Sequence, residues 1–329
     1  MIFVRAPFRI PLGGGGTDLP SYYSKFGGSF ISAAINRYMF ITVNRPLLDT
    51  LIRVKYTQTE IVDDVKKIKH ELVREALRLV NIKDSVEINS VADLPAGTGM
   101  GSSGSYLVAV LKALHTLKDD HVSVKELAEE ACGIEIDKLK RPIGKQDQYI
   151  ASYGGITKFK IARNGRVDVK RLPLSQSFVR DLENSLLIFY TGINREEEQI
   201  LKTQSRATKA NNKRVIDNLH HIKAIGLEIE EALIKNDIDA FGKLMHKHWL
   251  SKRRLSASIS SPRINYLYEL GMKNGAIGGK IMGAGGGGFL LFCCPENRNK
   301  VRTVMKKEEL LELFFHFDME GVKVIADIS

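Results

Sequence analysis

Residues Pro95 to Ser105 read Pro-Ala-Gly-Thr-Gly-Met-Gly-Ser-Ser-Gly-Ser, between a strand-like segment (85–92) and an apolar helical one (106–117). A helix that begins on such a run presents converging backbone N–H groups, an arrangement that favours an anion. Glycine tolerates positive φ and allows a ligand to approach the backbone closely. Ser102 and Ser103 add hydroxyls suited to a phosphate or a hard cation. The run points to a chain that handles a nucleoside triphosphate.

It is not a P-loop, because no Gly-Lys-Ser/Thr ends it. Gly99-x-Gly101-x-x-Gly104 matches the dinucleotide fingerprint in form. That fingerprint needs a tight turn straight after its strand, whereas Asp93-Leu94-Pro95-Ala96 intervene here. Asp119 and Asp120 stand at a suitable distance for its acidic residue but follow a helix rather than a second strand. An NAD(P)-dependent oxidoreductase is the alternative from another reaction class.

The net charge of +11 admits nucleic acid, an anionic surface or small anionic substrates. The basic clusters (138–145, 202–214 and 252–254) are not interleaved with aromatic residues as a base-stacking platform would be. Small phosphorylated molecules are therefore expected as partners, and nucleic acid is not. A non-enzymatic RNA-binding module would require steeply salt-dependent binding. No apolar run reaches membrane-span length, and the first residues lack the plan of a secretion signal. Cys132, Cys293 and Cys294 make no disulfide framework, so a reduced, cytoplasmic setting without a membrane is expected.

With 329 residues the chain has room for two domains, and the pattern changes near Ser175. The expected units are 1–175 and 176–329. In the first, 38–44 and 51–56 read as strands and 65–80 as an amphipathic helix. Ser123-Val124-Lys125-Glu126 is a capping box, and 155–161 with 166–172 reads as a hairpin about Asn164-Gly165. In the second, 186–190 reads as a buried strand, followed by a long helical stretch from about 196 to 235 and a helix over 237–250. A further helix starts at Pro262 and stops near Gly275. Helix over 297–315 and a strand over 322–328 close the chain.

Two more glycine-rich stretches flank the central one. Residues 5–18 read Arg-Ala-Pro-Phe-Arg-Ile-Pro-Leu-Gly-Gly-Gly-Gly-Thr-Asp, with Arg9 and Asp18 on either side of four glycines. So costly a run implies a close approach to the backbone, and a carboxylate there suits sugar hydroxyls. Residues 278–289 read Gly-Gly-Lys-Ile-Met-Gly-Ala-Gly-Gly-Gly-Gly-Phe.

Together the three stretches resemble the motifs of the GHMP superfamily of small-molecule kinases in order and spacing, across essentially the whole chain. The central motif is similar to Pro-x-Gly-x-Gly-Leu-Gly-Ser-Ser-Ala, with Met100 for leucine and Gly104 for alanine. The resemblance implies an α+β, two-domain fold: an N-terminal domain like the second domain of ribosomal protein S5, and a ferredoxin-like C-terminal domain. It implies ATP on Pro95, Gly97, Gly99, Gly101, Ser102, Ser103 and Gly104, and Tyr56 and Thr57 near the adenine. A Gly-x-x-Asp segment at 144–147 makes Asp147 the catalytic aspartate, with Arg9 beside it. Glu135 stands at the spacing of the magnesium-binding glutamate, so Mg²⁺ is expected on Ser103 and Glu135, with Asp137 as the competitor. Phosphoryl transfer needs both parts, a metal for the phosphate charge and an acceptor to orient the hydroxyl.

Gly-Gly-Gly-Thr-Asp-Leu-Pro at 14–20 resembles the branch holding bacterial D-glycero-D-manno-heptose 7-phosphate kinases and the kinase portion of fucokinases. The implied acceptor is a sugar C1 hydroxyl, with Gly15, Gly16, Thr17, Asp18 and Gly285 around the sugar. The basic balance favours a sugar phosphate over a neutral sugar of the fucokinase or galactokinase kind. Lys252 and Arg253, then Arg195 and Lys202, are the candidate phosphate clamp. His246-x-His248 lacks zinc spacing and a third ligand, Cys293-Cys294 reads as packing, and Trp249 as a core or lid residue. Glu196-Glu197-Glu198 reads as a solvated helix start.

Overall fold

The computed structural model describes residues 1–193 and 197–328. Its first half runs β1 (Ile2–Gly13), α1 (Pro20–Phe26), β2 (Gly28–Asn44), β3 (Ile52–Lys55), β4 (Thr59–Val62), α2 (Glu71–Leu79) and β5 (Val86–Ala92). It continues through α3 (Ser102–Leu117), α4 (Val124–Cys132), α5 (Gln146–Tyr153), β6 (Ile156–Ile161) and β7 (Val167–Arg171). A wide π-type turn, Gly133–Lys138, prolongs α4. The second half holds α6 (Gln176–Ser185), β8 (Leu186–Tyr190), α7 (Glu197–Lys209), α8 (Lys213–Ile234), α9 (Ile238–Arg253) and α10 (Pro262–Lys273). β9 (Gly278–Ile281), β10 (Phe289–Cys293), α11 (Arg298–Lys307), β11 (Leu311–Glu312) and β12 (Lys323–Asp327) complete it.

β1 and β2 are the spine. β1 pairs antiparallel with β2 along nearly its whole length, with register shifts at Pro7/Phe8 and Pro11/Gly13. The far half of β2 carries β5 and the near half carries β6. The main path of this sheet is β12-β1-β2-β5-β3-β4, with β6 and β7 branching from β2. α3 lies across β1 and β2 and is buried almost throughout, from Gly104 to Leu111 without a break. Each large apolar side chain withdrawn from water there stabilises by about 1.5–3 kcal/mol. That packing fixes the start of α3, where the serines lie.

The second sheet has the order β11-β8-β10-β9, every pair antiparallel. Along the chain this is fourth-first-third-second, the arrangement of a ferredoxin-like unit.

Several expected elements differ. The amphipathic stretch 65–80 is a short 3₁₀ turn over Val65–Lys67 and then α2. The Glu60 carboxylate accepts the backbone N–H groups of Lys69 (2.6 Å) and His70 (3.0 Å), holding that segment out of the helix. The stretch 196–235 is two helices. Asn211 takes φ +57° between them, and the Asn212 side chain caps α8 by accepting from Val215 N–H. α11 stops at Lys307, because Glu309 at φ +62° turns the chain into β11 rather than continuing to 315. β1 itself and the first half of β2 are not among the expected strands.

The capping box forms, with Ser123 Oγ accepting from Glu126 N–H at 3.2 Å. The boundary near Ser175 falls between the sheets, at the N-cap of α6. Its far side differs from a simple 176–329 unit, because β12 returns to pair antiparallel with β1 in the first sheet.

Candidate active site

Gly97, Gly99 and Gly101 all take φ near +80°, and Gly101 is the N-cap of α3. A Cβ on Gly101 would stand 3.1 Å from Asp147 Cγ and 3.2 Å from Arg9 Cγ. A Cβ on Gly104 would stand 2.7 Å from Asp147 Cβ. The missing side chains let α3 pack directly on the first turn of α5, where Asp147 sits. Arg9, on β1, ties these parts together. Its Nε donates to Asp147 Oδ1 at 2.8 Å, its Nη1 to the Gly99 carbonyl, and its backbone N–H to the Met100 carbonyl at 3.1 Å.

Asp18 lies beside this pair. Its carboxylate accepts the backbone N–H of Gly16 at 3.0 Å and of Gln146 at 3.2 Å. Burial pushes the Asp18 carboxyl up, and the negative charge of Asp147 pushes it further. The two acids are thus electrostatically coupled across one site. Thr17 plays another part. Its hydroxyl donates within the buried turn, to the carbonyls of Gly14 (2.8 Å) and Ser29 (2.9 Å).

Glu135, on the π-type turn, is fully buried. Burial raises its carboxyl above the usual range, against bonds from Ser103, Gln148 and Arg141 that favour the charged form. The Ser103 hydroxyl donates to Glu135 Oε1, and Arg141 Nη1 donates to both at 3.2 Å. Among the described residues, no group of three or more His, Cys, Asp and Glu is placed to hold a metal. A hydroxyl and one carboxylate suit Mg²⁺, which keeps most of its shell as phosphate and water oxygens.

These groups share one cavity of about 1030 Å³, walled by both halves of the chain. Arg9, Gly15, Gly16 and Asp18 line it, with Ser103, Glu135 and Asp147. Pro95, Gly97, Gly101, Ser102 and Gly104 also face it, while Gly99 stands behind and presents its carbonyl to Arg9. Tyr56 and Thr57 line the same cavity near His70, whose ring stacks on Tyr106 at 4.9 Å.

From the second half come Lys252, Lys280, Gly283 and Ala284. Lys252 Nζ donates to the carbonyls of Ile281 (3.3 Å) and Gly283.

Three expected residues stand elsewhere. Arg253 turns away, donating to Asn265 Oδ1 at 3.2 Å with its guanidinium 6.0 Å from the Trp249 ring centre. Gly285 packs on Ile259, where an added Cβ would meet Ile259 Cγ2 at 2.8 Å. Lys202 pairs with Glu198 at 3.0 Å on the exposed side of α7. Arg195 and Glu196 lie outside the described residues. Trp249 is fully buried in the second unit's core, and His246 pairs with Tyr268 Oη at 2.7 Å.

Four cavity residues, Arg141, Gln148, His248 and Lys280, are not among the site residues expected from the sequence. Lys280 opens the third glycine stretch, and Arg141 belongs to the basic cluster 138–145, so those two leave a mark. His248 shows only as part of His246-x-His248, and Gln148 leaves no mark.

The central and third glycine stretches fall within matches to a known family. The family of GHMP kinases N terminal domain matches residues 65–155, and that of GHMP kinases C terminal matches 229–309, together just over half of the chain. The chain belongs to the GHMP kinase family. Phosphoryl transfer is therefore its reaction class, and the oxidoreductase alternative falls; residues 93–101 also separate β5 from α3, too long a link for the dinucleotide turn.

Among curated GHMP kinases, the D-glycero-alpha-D-manno-heptose 7-phosphate kinase of Campylobacter jejuni is 29% identical over 98% of both chains. The L-fucokinase/L-fucose-1-P guanylyltransferase of Bacteroides fragilis is 26% identical over 92% of this chain and 35% of that longer protein. The crystal structure of a D-glycero-D-manno-heptose 1-phosphate kinase from Bacteroides thetaiotaomicron shares the fold, with a TM-score of 0.82 and 24% identity over the whole of both chains. Among the described residues, no helix is long and apolar enough to cross a membrane.

Proposed function

We propose that this GHMP kinase transfers the γ-phosphoryl group of ATP to the C1 hydroxyl of a sugar phosphate, D-glycero-D-manno-heptose 7-phosphate, giving the 1,7-bisphosphate. The observation that carries the reading is the Arg9–Asp147 pair at 2.8 Å, set beside Asp18 and directly against the start of α3. The heptose 7-phosphate kinase relative supports the choice of sugar.

In this reading the loop from Pro95 to Gly104 holds the triphosphate with backbone N–H groups and the α3 dipole. Ser103 and Glu135 would hold Mg²⁺, which would supply charge neutralisation for the transferring phosphates. Asp18, oriented by Gly16 and Gln146, grips sugar hydroxyls and turns the C1 hydroxyl towards Asp147. Asp147 accepts the hydrogen bond of that hydroxyl and takes up its proton as the oxygen attacks. Arg9 holds the Asp147 carboxylate in place and offsets charge on the transferred group. The partner is a small molecule, and the setting is the cytoplasm.

The test is coupled ADP release across heptose 7-phosphates, fucose, galactose and mevalonate. The heptose phosphate should give the highest kcat/KM. A neutral sugar in first place would replace the substrate and leave the kinase, and the fucokinase relative makes fucose the competitor.

A further inference from the structure

His248, Lys252 and Lys280 meet on the cavity wall that the second sheet and α9 supply. His248 and Lys252 are one turn apart on α9 and share a face. Lys280 lies on β9, against which α9 packs. It is 2% exposed, and its ammonium donates to the Leu12 carbonyl at 2.9 Å. The charges acting most on it are those of Lys252 and Arg9, both of its own sign. His248 is also 2% exposed, and neither of its ring nitrogens has a hydrogen-bond partner among the described residues.

A buried ammonium beside like charges and an imidazole with no partner are both costly arrangements. Burial and the neighbouring cations hold the proton affinity of Lys280 and of His248 well below the ordinary range. One kind of visitor relieves all of this together: a compact anion with several acceptor oxygens. The carbonyl of Leu12 uses one N–H of Lys280, leaving further donors for such an anion.

We propose that His248, Lys252 and Lys280 form a subsite for a phosphate monoester, the anionic end of the sugar substrate. The proposal rests on the sugar-phosphate reading above and gives it a place in the cavity. Lys280 is anchored at Leu12, on the same strand as Arg9. Leu12 stands three residues beyond Arg9, about 10 Å along the strand at the usual rise, so the anchor of Lys280 is offset from the Arg9–Asp147 pair. The reacting hydroxyl then lies at Asp18 and Asp147, and the phosphate lies at the cationic wall. The γ-phosphate of ATP presents the same chemistry, so the test separates the two sources.

Lys280→Met, His248→Gln and Lys252→Met are compared with the wild type in turnover of heptose 7-phosphate and of the unphosphorylated heptose. Affinity for a non-hydrolysable ATP analogue is measured alongside. Losing one charged hydrogen bond should lower the ratio of kcat/KM, phosphorylated over neutral, by about tenfold to a hundredfold. The analogue should bind each variant within about twofold of the wild type, a shift far below 1.4 kcal/mol. A wild type that prefers the phosphorylated sugar, with variants that keep that preference, overturns the subsite and leaves the sugar-phosphate reading standing. A wild type with no preference overturns both. Weaker analogue binding with an unchanged ratio assigns the cations to the nucleotide and overturns the proposal. Lys252 is only partly buried, so Lys252→Met carries the test if the two buried positions do not fold when changed.

Discussion

Asp147 holds a position that could be filled by no simple surface acid. Its carboxylate is paired with a nearly buried arginine, and its own Cβ rests where α3 has glycine. Asp147→Asn keeps that shape and removes the charge. In the proposed mechanism kcat falls by about 10²- to 10⁴-fold, the usual contribution of a positioned acid–base group. ATP affinity, read by titration with a non-hydrolysable analogue, should be retained. The same change acts on Asp18, because the charge of Asp147 is the second cause of its raised carboxyl pKa. In the proposed site Asp18 binds hydroxyls as the carboxylate, so sugar binding should fail as acid protonates it, above the ordinary value of 3.8. With Asp147 neutral, that failure should move to lower pH, and calorimetric sugar titrations across the acid range would show it. An unmoved acid limb would separate the two carboxylates. That Asp18, Asp147, Arg9, Ser103 and Glu135 line one cavity was legible, because they stand in or at fixed spacing from glycine-marked motifs. Arg253 was misread for a geometric reason. Successive helical residues point about 100° apart, so Lys252 and Arg253 cannot serve one wall.

At the scale of elements, the meeting of α3 and α5 sets where Asp147 stands against the glycine-serine loop. Gly104 is the contact point, and Gly104→Ala sets two effects against each other. Alanine favours a helix over glycine by about 1 kcal/mol. The new methyl group would stand 2.7 Å from Asp147 Cβ and 2.9 Å from Asp147 C and Gln148 N, mostly unyielding backbone. Overpacking of that kind costs about 1–3 kcal/mol. The steric effect should win narrowly, lowering stability by about 1 kcal/mol in urea melts while kcat falls about tenfold as Asp147 is displaced. An unchanged kcat would mean that α5 moves without consequence. The stretch 65–80 shows why other elements were less legible. Its apolar period is helical throughout, yet Glu60 reaches from β4 to take the backbone N–H groups of Lys69 and His70. A carboxylate some ten residues upstream leaves no trace in local periodicity.

Over the whole molecule, the two units are joined at several places, two of which bear on the site's strand. Lys280 reaches from β9 to the end of β1, and β12 crosses back to pair with the beginning of β1. The strand nature of 322–328 was legible, but its partner was not, since nothing local in the sequence names a strand more than three hundred residues away. β12 covers an edge that β1 would otherwise expose, and open edges template pairing with other chains. Ile2 and Val4 are fully buried at that edge. Ending the chain at Val322 should therefore uncover part of both, at about 2–4 kcal/mol, and lower Tm by several degrees. The truncated protein should also self-associate through β1, seen as a concentration-dependent shift in size-exclusion chromatography. Arg9 lies further along the same strand, where β2 and the Met100 carbonyl hold it independently of β12. The monomeric fraction should accordingly keep most of its activity at low temperature. Full loss of activity in a folded monomer would instead mean that the C-terminal strand sets the position of Arg9, and that the return of the chain serves catalysis as well as stability.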